Sequence, residues 1–355
     1  VLRGLSRRQV IDEHRQELKQ RVDAIIEDLK ADRTPQIFYI AEPKDEKRSL
    51  EKVAKGDTRF ILVAPLEWLI VNVMYFGFFL DIQARHHADT DLAIGINPYG
   101  LDWDRMARDL NEFPVASDAD AKSWDITFPT PVALEYPNQA AMRYPGTPTR
   151  ILTLICVATF HCVILHHAHF FDADMMPSGD FKTAKVNSAV NSVVSRAVFN
   201  MYPQSYRLKT LGDDKVSSHE EGFPVEEANR QLMDLFHFHM TDAEKGGLPR
   251  AKKLSECSFL KRSFVYSEGR FIAPLALQSI KDMLTWVRAD TVREAVQQSL
   301  VNWEVAQREL SLHPPQLYNL FNHFFSSLVL EAKPNYVSVP HADMRSAVLR
   351  MALYY

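Results

Sequence analysis

The sequence predicts an α+β chain, on three observations. Apolar residues recur at helical spacing near the start and again from Ala273 onward, β-capable segments flank Gly212-Asp213-Asp214, and a further strand-like segment, Phe113 to Asp120, also ends in acidic residues. At roughly 100 to 200 residues per domain, 355 residues make two or three compact units around a substantial core. Apolar residues are 46% and charged residues 24%, which excludes a disordered tail or a fibrous repeat. The formal charge of −4 excludes a protein that coats nucleic acid through bulk positive charge, so any polyanion site is local. Cys156, Cys162 and Cys257 are too few and too irregular for a disulfide framework, and free thiols in a reducing compartment are expected.

From Ser6 to Asp32, Val10, Ile11, Leu18, Val22, Ile25, Ile26 and Leu29 form one face of an amphipathic helix with a charged opposite face. After Thr34-Pro35, two short apolar segments flank a charged loop with Gly56 and Asp57, a hairpin-like basic arm. Phe60 to Leu80 has the length of a bilayer span but carries Pro65, Glu67 and Asn72, and a carboxylate in a span costs about 2.5 to 3.5 kcal/mol. It reads as a buried helix, and no transmembrane segment is expected. Gly95-Ile96-Asn97-Pro98 signals a turn before a helix from about Trp103 to Leu110. The apolar run Ile151 to Phe171 reads as a helix packed on both sides, followed by a helix over Thr183 to Phe199, a strand pair around Leu211 to Ser217, and a helix from about Val225 to Phe238. No internal repeat interrupts this order. The opening residues lack the apolar core of an export signal, and the start at Val1 with the end at Tyr355 reads as a piece of a longer product.

Two adjacent carboxylates on a tight turn repel each other unless a cation sits there. Asp213 and Asp214, taken with Asp120 at the end of another strand, are three acids from two strands that could converge on a pair of divalent ions, and their hard oxygen ligands suit Mg²⁺ or Mn²⁺. Ions about 3.5 to 4 Å apart serve polymerases and nucleases by stabilising attacking and leaving oxygens. Residues 44 to 59 hold six basic side chains against four acids. Residues 245 to 262 hold six basic side chains against Glu256, a local stripe able to follow a nucleic-acid backbone. A zinc reading of Cys162, His166, His167 and His169, with His237 and His239, is set aside, because a helical Cys162 with His166 supplies only half a site.

In order and spacing these segments resemble the RNA-dependent RNA polymerases of picornavirus-like positive-strand RNA viruses, over most of the chain. Lys44-Asp45-Glu46 with Arg48, Lys52, Gly56 and Arg59 looks like the basic fingers motif. Asp120 with Asp125 looks like the first palm motif, and Met176-Pro177-Ser178-Gly179 with Thr183 and Asn187-Ser188 like the second. Gly212-Asp213-Asp214 looks like the third, Thr241-Asp242-Ala243-Glu244-Lys245 the fourth, and Phe259-Leu260-Lys261-Arg262 the primer grip. Leu211 stands where the family usually has Tyr, Asp57 occupies a loop position that is often basic, Asp180-Phe181-Lys182 continues the Ser-Gly loop unusually, and the N-terminal side is short.

The resemblance implies a right-hand fold with fingers over 1–100 and 156–200, a palm over 101–155 and 201–265 with an antiparallel sheet backed by helices, and a helical thumb over 266–355, the N-terminal fingertips being incomplete. It implies template-directed RNA synthesis with two Mg²⁺ or Mn²⁺ ions on Asp120, Asp213 and Asp214, and Lys245 as the acid for pyrophosphate. Lys44, Arg48, Lys52, Arg59, Asp125, Ser178, Gly179, Thr183 and Asn187 would receive the nucleoside triphosphate. Lys252, Lys253, Lys261 and Arg262 would hold the RNA template and the primer or nascent strand. Other viral replication proteins, in membrane-associated replication complexes of the host-cell cytoplasm, are the implied company. The rival readings are a reverse transcriptase, in which a bulky aromatic normally guards the sugar where Asp125 stands, and a non-catalytic RNA-binding protein on the same scaffold.

Overall fold

A computed structural model of the chain describes residues 7–143, 146–167, 169–243 and 247–351. The N-terminal amphipathic pattern forms α1 (Arg7–Glu13) and α2 (Arg15–Lys30), parted at His14, whose φ of −114° and ψ of 25° leave helical geometry. The basic arm is β1 (Phe38–Pro43), a short α3 (Leu50–Ala54) started by the Ser49 hydroxyl, and β2 (Phe60–Val63), with β1 and β2 antiparallel from Ile40 opposite Val63 to Pro43 opposite Phe60.

The 60–80 run is therefore divided, and only its second part joins α4 (Leu66–Arg85). Pro65 makes the division: its fixed φ, −64° here with ψ at 148°, suits the residue before a helix, and it holds Ala64 extended. By length and composition α4 could cross a membrane, but Trp68, Val71, Asn72, Phe76, Phe79 and Leu80 are buried against the largest hydrophobic core or within it.

After α5 (Leu101–Leu110) come β3 (Val115–Ala121), the short helices α6 (Trp124–Thr127), α7 (Thr130–Ala133) and α8 (Tyr136–Ala141), and α9 (Thr149–Phe160). The 151–171 run is not one helix. It ends α9 at Phe160 and continues as β4 (His161–His166), which pairs with β5 (His169–Asp174). A continuous apolar run does not distinguish a buried helix from a buried strand, and here β1 decides by offering a parallel partner, Phe38 to Val163 through Ile40 to Leu165. The domain boundary drawn between residues 155 and 156 consequently falls inside α9.

The rest comprises α10 (Thr183–Phe199), β6 (Tyr206–Leu211), β7 (Asp214–His219), α11 (Val225–Phe236), β8 (Met240–Thr241), two small hairpins, β9 (Ser258–Phe259) with β10 (Arg262–Ser263) and β11 (Val265–Ser267) with β12 (Arg270–Ile272), and the helices α12 (Leu277–Thr285), α13 (Val292–Leu310), α14 (Pro315–Ala332) and α15 (His341–Met351). One sheet runs β2-β1-β4-β5 and a second runs β6-β7-β3-β8, antiparallel throughout. The largest core joins α2, α4, α9 and α10 to both sheets, while Ile280, Trp303, Ala306, Leu310, Tyr318 and Val329 form a separate core among the last helices. The three cysteines are free and buried, and burial pushes the Cys156 and Cys162 thiols up to about 12 and about 11.

Candidate active site

The site forms at one end of the second sheet. Leu211 and Asp214 are the last facing pair of β6 and β7, leaving Gly212-Asp213 as a two-residue turn with Gly212 at φ 65°, a conformation open to glycine at no steric cost. Helix α10 lies beneath and holds the turn by its backbone. The Gly212 N–H donates to the Ser188 hydroxyl at 2.8 Å, and Asn191 Nδ2 donates to the carbonyls of Gly212 and Asp213, each at 3.2 Å. Strand β3 lies antiparallel to β7 with Asp118 facing Val216 and Ala119 facing Lys215, so one step further Asp120 comes level with Asp214.

The consequence is electrostatic. Burial, then the charges of Asp213 and Asp120, push the Asp214 carboxyl up to about 7, with Lys261 opposing. Lys261 reaches this neighbourhood from the β9–β10 turn, where Leu260 and Lys261 have φ of 55° and 59°. Two consecutive non-glycine residues in the left-handed region are costly, on the order of 1 to 3 kcal/mol each, and such strain persists only where the surroundings impose it.

Ser123, at φ 55°, turns the chain from β3 into α6, which carries Asp125. Burial and then Asp213 raise the Asp125 carboxyl, while Arg59 and Lys44 pull it back. The arm around β2 and the sheet end thus act on one volume. Within the arm Glu46 is the hub: Arg59 Nε donates to its Oε1 at 2.8 Å with a second bond from the other fork arm, and Arg48 and Lys44 lie 3.4 and 3.9 Å away. Arg48 also donates to the Asp57 carbonyl at 3.0 Å, fastening the loop, and Lys52 stands exposed on α3 outside this cluster. The four bases therefore do not share one face, and Lys44 and Arg59 are the pair directed at the acids.

The Ser178-Gly179 loop precedes α10 rather than opening it. Ser178 Oγ accepts from the Leu62 N–H at 3.2 Å, and Gly179 bridges Val63. The Thr183 hydroxyl lies 2.7 and 2.9 Å from the carbonyls of Pro177 and Asp180, so this residue fastens the loop instead of offering its hydroxyl to a ligand. Asn187, one turn along α10, is 6% exposed and its Oδ1 has no hydrogen-bond partner. A buried acceptor left open costs on the order of 1 to 3 kcal/mol until something donates to it.

Two expected RNA contacts are corrected. The Lys252 side chain is largely enclosed, with its Nζ 2.5 Å from Asp118 and 3.0 Å from Asp242. Arg262 is likewise enclosed, forked onto the buried Glu309 at 2.7 and 2.9 Å and 5.3 Å from the Tyr99 ring. Both hold elements together. Lys253 and Lys261 remain exposed, and Lys245 lies outside the described residues. Sequence reasoning missed Asn191, whose place one turn beyond Asn187 on the buried face of α10 was the available signal, and Lys215, a fully buried ammonium without a hydrogen-bond partner, which burial pushes down to about 7.

The donor set, three carboxylates at one sheet end with one of them held partly protonated, fits a divalent cation in chemistry. Among the described residues no three such side chains stand close enough to share one ion, so the acids are gathered without forming a cage.

A family model described as viral RNA-dependent RNA polymerase matches residues 7–329. The chain belongs to this family. It is 29% identical over 310 residues to the genome polyproteins of human hepatitis A virus genotype IA, isolates HAS-15 and H2, a match covering 82% of this chain and 15% and 13% of theirs. The polyprotein of simian hepatitis A virus genotype V, isolate AGM-27, is 28% identical over 308 residues, with 82% and 13% covered. The chain thus spans a small part of the length of the relatives it matches. A Sicinivirus 3Dpol RNA-dependent RNA polymerase superposes with a TM-score of 0.81 over 95% of this chain and 71% of its own, at 18% identity. The fold is accordingly the right-hand polymerase fold, and the family generally uses divalent metal ions.

Proposed function

We propose that the chain synthesises RNA on an RNA template from ribonucleoside triphosphates, replicating a viral genome. The observation that carries this is the meeting, at one sheet end, of Asp120, Asp213 and Asp214 with Asp125, and across from them Arg59 and Lys44. Asp120, Asp213 and Asp214 would hold two Mg²⁺ or Mn²⁺ ions, which when bound supply charge for the attacking hydroxyl and the leaving pyrophosphate.

The chain's own residues do the rest. Arg59, oriented by Glu46, and Lys44 neutralise the triphosphate, the Arg as a fork and the Lys as a point charge. Asn187 Oδ1 accepts from the ribose 2′-hydroxyl, and Asp125 completes its hydrogen bonding. Lys245 donates the proton that makes pyrophosphate a better leaving group, a role that contributes roughly 10² to 10⁴ in rate where it operates. Exposed Lys253 and Lys261 follow the RNA backbone. Work alongside other viral replication proteins on cytoplasmic membranes belongs to the same proposal.

A small acidic residue at position 125 with an open amide acceptor at 187 favours ribonucleotides over the reverse-transcriptase reading, and the retained acids disfavour a non-catalytic scaffold. Primer extension on an RNA template with Mg²⁺ tests the proposal. The parent should give template-dependent product and Asp213→Ala none at an unchanged melting temperature. Parent-like synthesis by that variant would overturn the assignment.

A further inference from the structure

The loop that carries Ser178 and Gly179 is followed by two charges that the proposed chemistry does not use, and both are fully buried. Lys182 Nζ donates to Asp180 Oδ1 at 3.0 Å, to Asn72 Oδ1 at 2.7 Å and to Thr159 Oγ1 at 2.6 Å, which accounts for all three of its protons. Asp180 is equally occupied: Oδ1 also accepts from the Lys182 backbone N–H at 3.1 Å, and Oδ2 accepts from Tyr39 OH at 2.7 Å. Tyr39 OH in turn accepts from Trp68 Nε1 at 3.1 Å. The network takes in β1 through Tyr39, α4 through Trp68 and Asn72, α9 through Thr159, and the start of α10 through Lys182.

A buried ion pair of this kind contributes little net stability compared with apolar residues of the same shape, because desolvation offsets the attraction. What it does supply is direction: a cation with three fixed acceptors and a carboxylate with three fixed donors admit one arrangement of the backbone that carries them. That backbone is the nucleotide-site loop. Gly179 and Ser178 sit against β2 immediately before Asp180, and the Lys182 carbonyl accepts the Val186 N–H at 2.9 Å, setting the first turn of the helix whose next residue is Asn187.

We propose that Asp180 and Lys182 are positioning residues, a buried lock that fixes the Ser178-Gly179 loop and the first turn of α10 so that Asn187 meets the ribose of the incoming nucleotide. The inference rests on the polymerase reading above and adds to it the residues that set sugar discrimination from behind the site.

Two measurements on the full chain test it. Hydrogen exchange on the parent should find the Lys182 and Leu62 amides, which donate to Asp180 Oδ1 and Ser178 Oγ, protected to the level of core α10 amides. Fast exchange through local opening would overturn the lock, and this measurement needs neither a variant nor RNA synthesis, so it stands even if the polymerase reading falls. The paired variant Asp180→Asn with Lys182→Gln keeps polar groups but removes both buried charges. It should exchange those amides at least tenfold faster with α13 unaffected, and should narrow the preference for ribo- over deoxynucleotides tenfold or more. Turnover at saturating ribonucleotide should fall as well, and the altered preference, not the fall, is what marks a positioning role. A purely structural role would lower activity without altering that preference. A folded paired variant with parent-like selectivity overturns the proposal, and if the pair cannot fold, the exchange measurement on the parent decides.

Discussion

Replacing Gly179 by Ala tests the close approach of the Ser178-Gly179 loop to β2 and the loop's proposed place in the nucleotide site. A Cβ at this position would lie 2.1 Å from the Leu62 carbonyl oxygen, 3.0 Å from its carbon and 3.4 Å from Val63 Cα. Carbon–oxygen contacts settle near 3.3 Å or beyond, so loop and strand must part by about 1 Å. The opposing atoms are backbone, which cannot turn aside as a side chain would, but β2 is an edge strand and can yield. The separation sacrifices the Ser178–Leu62 hydrogen bond, worth about 0.5 to 1.5 kcal/mol net, and adds an overpacking cost of about 1 to 3 kcal/mol. Against a typical stability of about 5 to 15 kcal/mol the variant should still fold, with its melting temperature lowered by several degrees. Catalysis suffers more, since a displacement of about 1 Å at a reacting centre can cost 10²-fold. Thermal melting with single-nucleotide primer extension separates the two effects. The expected result is a folded protein with incorporation lowered by about two decades. An unchanged melting temperature would refute the close approach, and a lowered one with parent-like incorporation would refute the loop's place in the nucleotide site.

Asn187→Ala removes the open acceptor, whose mispairing with a deoxynucleotide is worth about 1 to 3 kcal/mol, so competition assays should show ribonucleotide preference narrowed by about one to two decades. His219, stacked on Phe223 at 3.7 Å between ring centroids and held 2.9 Å from Ser217 Oγ, is pushed down to about 3 by burial and then by the Lys215 charge. Because its folded value lies below its unfolded one, the unfolded chain takes up a proton first as pH falls, and stability is lost from about pH 6.5 down toward pH 3. At pH 5 the loss from this group is about 2 kcal/mol relative to neutral pH, and denaturant melts of His219→Phe should lack that increment.

The elements legible in the sequence were those whose pattern and ends are local. The helix over Thr183 to Phe199 has the expected bounds, and the glycine turn between β6 and β7 stands where the Gly-Asp-Asp triplet put it. Ile151 to Phe171 failed because its state depends on a partner far away in the chain: β1 captures Val163 to Leu165 as a parallel strand, which no local period reveals. Asp180 and Lys182 look like a solvated charge pair in a loop, and only Tyr39, Asn72 and Thr159, drawn from three other elements, make them a core.

Charge was the least legible property, and the basic stripe shows why. A sequence counts charges, whereas recognition depends on those left uncompensated at the surface. Between residues 245 and 262 the count of basic side chains is ample for an RNA backbone, yet Lys252 is spent on Asp118 and Asp242, and Arg262 on Glu309. Those acids sit on β3, beside β8 and on α13, so the bases serve to clamp the sheet to the segment before β9 and the β9–β10 turn to the last helices. Arg250, Lys253 and Lys261 are the described bases of the stripe that stay exposed. Of these, Lys261 is the one whose charge acts on Asp214, and it stands in a turn where it and Leu260 are both left-handed. The consequence is physical: the turn brings this side chain to the acids' end of the sheet from one side, while Arg59 and Lys44 act on the acids from the arm.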